Sequence, residues 1–166
     1  QINICTVIGF PLGYDSKEAK ITAASQAIKD GAKEVDMVIN IADAKNGDFD
    51  KITGEITDIK KAVGDNTLKV IIETCYLTEK EKIALCKCIT KAKADFIKTS
   101  TGFGSGGATH EDIRLFAAHI GPDVKIKAAG GIRTIEDMKQ YLAEGCERIG
   151  ASAAVGLLKD KMEAEI

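Results

Sequence analysis

Two lysines and one aspartate carry the chemistry open to this sequence. Lys98 lies in Phe96-Ile97-Lys98-Thr99-Ser100-Thr101-Gly102 and Lys127 in Lys125-Ile126-Lys127-Ala128-Ala129-Gly130-Gly131, each at the carboxyl end of a strand-like run with glycine close behind. A lysine amine attacks a carbonyl only when neutral, so its reference pKa of ~10.4 must be brought down by burial or by a neighbouring cation. Lys127 is the candidate cation for Lys98. The imine formed would act as an electron sink, letting a carbon–carbon bond beside the former carbonyl break or form with neither metal nor cofactor. Asp36, in Glu34-Val35-Asp36, is the candidate for positioning water and relaying protons. Each residue also has a plainer reading. A lysine at a strand end can pack its stem and leave its ammonium in water, and a carboxylate can be satisfied by backbone donors or an ion pair. Convergence of three strands on one pocket favours the chemical reading, a Schiff-base aldolase.

Strand-like apolar runs recur at residues 2–9, 34–41, 68–74, 95–100, 124–129 and 148–151, with helical segments between them. Ser16, Thr78, Thr109 and Thr134 stand where helices begin, and Glu81, Asp112 and Asp137 follow the last three at the capping-box offset. Gly31, Gly64 and Gly145 end helices as left-handed caps. Strand and helix alternate throughout, which demands a parallel sheet. Side-chain parity separates an open doubly wound sheet from a closed barrel. In residues 34–41 the odd positions are uniformly apolar, while Asp36 and Asn40 share the opposite face with Val38. Leu68, Val70 and Ile72 likewise oppose Lys69, Ile71 and Glu73, and Phe96, Lys98 and Ser100 share a face. Polar groups converging from several strands indicate a lumen with a site at its carboxyl-end mouth. The expected fold is therefore α/β, of the TIM (β/α)8 barrel family. Such a barrel takes eight strand–helix units and typically ~250 residues. This sequence supplies six runs in 166 residues, with Gln1 almost inside the first. We read residues 1–166 as a single partial barrel lacking the first two units.

The formal net charge of -2 leaves no basic surface for nucleic acid. No apolar run approaches the ~18 to 20 residues of a membrane span, and no charged-then-apolar leader opens the chain, so a cytoplasmic protein is expected. The five cysteines, Cys5, Cys75, Cys86, Cys88 and Cys146, are scattered as reduced, buried thiols are, not as a disulfide framework. The two histidines, His110 and His119, lack companions at metal-ligand offsets, which disfavours a zinc aldolase.

Gly130-Gly131 and Gly150-Ala151-Ser152 follow consecutive strands where barrels bind phosphate through backbone donors and a helix amino terminus. Taken separately, each pair of glycines could equally serve a tight turn. The run from Gly102 to Gly107 formally contains Gly-x-Gly-x-x-Gly, yet the next strand ends Lys127-Ala128-Ala129-Gly130 with no acidic residue for a ribose. A flexible loop over the barrel mouth is the expected use.

These segments, together with Val7-Ile8-Gly9-Phe10-Pro11 and Lys69-Val70-Ile71-Ile72-Glu73-Thr74, resemble the deoxyribose-phosphate aldolase family over essentially the whole chain. The resemblance implies class I cleavage of 2-deoxy-D-ribose 5-phosphate to acetaldehyde and D-glyceraldehyde 3-phosphate, without a cofactor. It makes Lys98 the imine-forming lysine, Lys127 the second lysine and Asp36 the proton-relay aspartate. Thr101, Gly130, Gly131, Gly150 and Ser152 fall on the segments that hold the phosphate. It also implies a homo-oligomer, often a dimer. Ala153 stands where many relatives carry a second serine, a loss that would weaken phosphate binding modestly. The rival reading is a truncated, inactive remnant that binds a phosphate or a partner through unpaired sheet edges near Ile4 and Ile149.

Overall fold

Short parallel strands joined by helical crossovers build the chain, and the computed structural model describes residues 2–164. The elements are β1 (Cys5–Ile8), α1 (Lys17–Lys29), β2 (Glu34–Val38), α2 (Ile41–Asn46), α3 (Phe49–Val63), β3 (Thr67–Ile71), α4 (Glu79–Lys91), β4 (Phe96–Lys98), α5 (His110–His119), β5 (Lys125–Ala129), α6 (Ile135–Ala143), β6 (Arg148–Gly150) and α7 (Ala154–Ala164). The strands form one six-stranded sheet in the order β1-β2-β3-β4-β5-β6, every neighbouring pair parallel. Arg148 on β6 reaches Glu34 on β2 across the sheet's concave face, so the sheet curls as part of a barrel wall. The expected fold class and the partial barrel are both observed.

Period-2 alternation sorts each strand into two faces. Val35, Met37, Leu68, Val70, Ile97, Ile126 and Ala128 point outward into the apolar core, where the helices cover them. Ile52, Ile56, Ile59 and Val63 form the inward stripe of α3 at helical spacing and are all buried. Each such side chain removed from water contributes roughly 1.5–3 kcal/mol. The concave face carries Glu34, Asp36, Lys69, Lys98 and Lys127 instead.

Three local expectations need correction. Asn40 does not share the polar strand face with Asp36: β2 stops at Val38, and the Asn40 carboxamide accepts from the backbone N–H of Ala42 and Asp43, capping α2. That cap divides the crossover to β3 into two helices, with Gly47 at φ 80° turning the chain between them. Among the expected capping boxes, only Thr78 and Glu81 complete the reciprocal pair. Thr109 and Thr134 do accept from the N–H three residues on, as does Ser16, but Asp112 turns instead to Lys82 at 2.6 Å. The thiols are free, as expected, yet only Cys86, Cys88 and Cys146 are buried. Cys5 is exposed because β1 is an edge strand, and Cys75 is half-buried in the 3-10 turn Thr74–Tyr76 at the mouth.

Candidate active site

β4 and β5 place their lysines in direct register, Lys98 opposite Lys127, so both side chains leave the concave face at the same height. Thr99 ties the strand ends together: its hydroxyl donates to the Ala129 carbonyl and accepts from the Ala129 N–H, both at 3.0 Å. Across the lumen, Asp36 Oδ2 accepts from Lys98 Nζ and from Lys127 Nζ, each at 2.9 Å. Its other oxygen, Oδ1, takes Lys69 Nζ at 2.8 Å. Lys69 also meets Glu34 at 2.6 Å, and Glu34 in turn receives Arg148. Four cations thus share two carboxylates. Asp36 and Lys69 are fully enclosed, whereas Lys98 and Lys127 keep their ends at the edge of a cavity.

This imbalance sets the proton affinities. Burial pushes the Asp36 carboxyl up, but the charges of Lys98 and Lys127 and the hydrogen bonds from Lys69 and Lys98 outweigh it, holding the group far below the usual carboxylate range. Burial pulls the Lys127 ammonium down, the charge of Lys98 pulls the same way, and the two together outweigh Asp36. For Lys69, burial lowers, but Asp36 and Glu34 raise the ammonium above its ordinary value. One lysine at the floor is therefore locked charged, and one at the mouth is loosened.

Lys98, Thr101, Lys127, Gly130, Gly131, Gly150 and Ser152 all line one cavity of about 470 Å3, whereas Asp36 lies beneath its floor, out of direct contact with it. Gly130 adopts φ 84° and approaches the β4–α5 loop so closely that a Cβ on Gly107 would stand 2.3 Å from the Gly130 carbonyl oxygen. Gly107 serves this crossing, while Gly104 and Gly106 close against Cys75, and the loop lies over the mouth as expected: Gly102 and Phe103 form part of the wall, with Phe103 edge-on to Phe10 at 5.5 Å. Ala151 and Ser152 continue the wall to the start of α7, a helix amino terminus suited to an anion. Among the described residues, no group of three or more His, Cys, Asp or Glu side chains is placed to hold a metal ion.

Sequence reasoning missed Glu34, Lys69 and Arg148 as members of this network. Parity puts Glu34 and Lys69 on the lumenal face, and that signal was available. Nothing in residue order pairs Arg148 with a residue 114 positions away. Cys5 was also missed: its thiol lies 3.3 Å from both Asp36 Oδ1 and Lys69 Nζ.

The DeoC/LacD family aldolase model matches residues 3–160. The deoxyribose-phosphate aldolase of Clostridium botulinum (strain Alaska E43 / Type E3) is 66% identical over 159 residues, covering 96% of this chain and 72% of the relative. Among solved structures, "QR15, an Aldolase" superposes with TM-score 0.94 at 36% identity, covering 99% of this chain and 74% of that one. A deoxyribose phosphate aldolase from Aeropyrum pernix, described as tetrameric, superposes with TM-score 0.83 at 30% identity, covering 98% and 69%. Nothing in these likenesses favours the inactive remnant. A family match across nearly the whole chain, with relatives this similar, means that the chain belongs to the DeoC/LacD family of aldolases.

Proposed function

We propose that this aldolase cleaves 2-deoxy-D-ribose 5-phosphate reversibly to acetaldehyde and D-glyceraldehyde 3-phosphate through an imine on Lys98. The neutral Lys98 amine adds to the C1 aldehyde of the open-chain sugar, and loss of water gives the iminium. The C2–C3 bond then breaks, its electron pair moving into the iminium to leave an enamine, while the C3 hydroxyl gives up its proton and becomes the aldehyde of the departing triose phosphate. Protonation of the enamine at C2 and addition of water release acetaldehyde and restore the amine.

The carrying observation is the sharing of Asp36 Oδ2 by Lys98 and Lys127 at 2.9 Å each. Asp36, with its weak proton affinity, is suited to hold the two amines in place. Lys127, whose proton burial loosens, is better suited than an ordinary lysine to give and take protons. Thr101, Gly130, Gly131, Gly150 and Ser152 surround the far end of the substrate, with the start of α7 facing the phosphate. No cofactor enters this chemistry.

One sheet and one apolar core support a single domain over residues 1–166. Among the described residues no helix is long and apolar enough to cross a membrane; the free thiols support a reducing, cytoplasmic setting. The tetrameric Aeropyrum pernix relative supports a homo-oligomer, with the dimer as its simplest form. The test is the cleavage assay itself: the protein releases acetaldehyde from the sugar phosphate without added metal or cofactor, and Lys98→Ala does not. Undiminished release by that variant would refute the assignment.

A further inference from the structure

Glu73 is a buried carboxylate near the mouth that the mechanism above leaves without a task. It is 2% exposed and adopts φ 53° and ψ 68°, a left-handed backbone that non-glycine residues rarely take and that a surrounding structure must enforce. The enforcement is visible. Beyond β3 the chain stays zipped to β4, the Ile72 N–H donating to the Lys98 carbonyl at 3.1 Å and the Thr74 N–H to the Thr99 carbonyl at 3.0 Å. The left-handed turn between those two bonds directs the Glu73 side chain toward the segment that follows Lys98. There Oε1 accepts from the Thr101 N–H at 3.1 Å, and Oε2 accepts from the Thr101 hydroxyl. The same hydroxyl oxygen accepts from the Phe103 N–H at 3.0 Å. Gly104 completes the fit, since a Cβ there would stand 3.1 Å from Glu73 Cδ and 2.9 Å from Cys75 Sγ.

Both partners of Glu73 are neutral donors on one residue, three positions past the imine-forming lysine. Thr101 and Phe103 form part of the wall of the reactive cavity and also of a smaller cavity of about 160 Å3 beside it, which Glu73 itself lines. We propose that Glu73 is a positioning residue, clamping Thr101 by its N–H and its hydroxyl so that the Thr101-Gly102-Phe103 wall closes around the phosphate-bearing end of the sugar. With its proton committed to Glu73, the Thr101 hydroxyl has one fixed orientation. The clamp acts on the substrate's far end and leaves the amine chemistry at Lys98 to the lumenal charges. The inference rests on the imine reading of Lys98.

The test compares Glu73→Gln and Glu73→Ala with the unaltered protein by two readouts. The first is steady-state cleavage of deoxyribose 5-phosphate. The second is borohydride trapping of acetaldehyde on Lys98, a two-carbon ligand that lacks the phosphate-bearing end of the sugar. Loss of hydrogen bonds to a buried charged acceptor raises KM about ten-fold or more in the alanine variant, with a smaller change in kcat. The glutamine variant keeps one acceptor for the Thr101 N–H, so its KM rises less, while acetaldehyde trapping persists in both. An unchanged KM, a fall in kcat alone, or loss of trapping in the variants overturns the clamp. Absence of trapping in the unaltered protein instead overturns the imine reading. If the alanine variant does not fold, the near-isosteric glutamine variant carries the comparison alone.

Discussion

Buried lysines occur on both sides of this sheet, and their surroundings differ in one decisive respect. Behind it, Lys20 is wholly enclosed, with Nζ held by Glu55 at 3.0 Å and by the Val38 carbonyl at 2.9 Å, one cation against one carboxylate, and only Glu55 reaches the edge of a cavity. Inside the lumen, Lys69, Lys98, Lys127 and Arg148 share Glu34 and Asp36, and two of the four border a cavity. The Lys20 amine has its partners and no access, so the pair fastens α1 and α3 to the end of β2. The unbalanced cluster has surplus positive charge beside an opening, the condition under which an amine sheds its proton and meets a substrate. Burial of a lysine is thus not the mark of a reactive one. Cation surplus and access together are.

The sharpest break of that contrast is Lys98→Ala, which is expected to lower turnover by at least about three orders of magnitude while leaving the circular dichroism spectrum unchanged. Next comes Lys127→Leu. It removes the loosened ammonium and is expected to slow cleavage about 100-fold and to change the pH dependence of kcat/KM; an unaltered profile would refute its role in proton transfer.

Asp36→Asn leaves Lys69, Lys98 and Lys127 without their shared anion. A cost of about 3–5 kcal/mol in stability is expected by urea unfolding, the scale for breaking a buried pair. Its pH dependence has a defined sign. The Asp36 carboxyl is depressed in the fold, so its contribution is present above the ordinary carboxylate pKa of ~3.9 and is lost as pH falls toward the native value. The stability gap between the protein and Asp36→Asn therefore narrows on acidification.

Glu55 has the opposite sign. Burial raises its carboxyl in spite of Lys20, so its contribution is present below the unfolded value of ~4.3 and is lost as pH rises through the native one. The gap between the protein and Glu55→Gln is expected to narrow as pH rises. Measured as paired urea titrations, the two variants should slope in opposite directions, and parallel slopes would collapse the distinction between the two clusters. The smallest effect on chemistry is expected from Lys20→Met. It lowers stability but leaves kcat per folded molecule unchanged.

Much of the lumenal cluster was legible in the sequence because parity is a strong signal. Strands covered by helices on one side must alternate apolar and polar if the other side is polar, and Asp36, Lys98 and Lys127 stand at the polar parity of three different runs. The same parity extends to Glu34 and to Lys69, which stands directly opposite Asp36 in the sheet, but parity alone does not say which lumenal charges meet. Asn40 misled for a physical reason: its parity fits β2, but its carboxamide competes for helix N–H groups and starts α2. Neither the left-handed turn at Glu73 nor the Arg148–Glu34 contact leaves any trace in local pattern, since both are imposed by tertiary neighbours.

The most direct test is borohydride reduction of the protein in the presence of deoxyribose 5-phosphate, followed by intact mass and peptide mapping. A single stable adduct on Lys98, absent from Lys98→Ala and formed without any added metal, is the predicted result. No adduct on folded protein, or an adduct mapped to Lys127 or Lys69 instead, would contradict the assignment of Lys98 as the imine-forming amine.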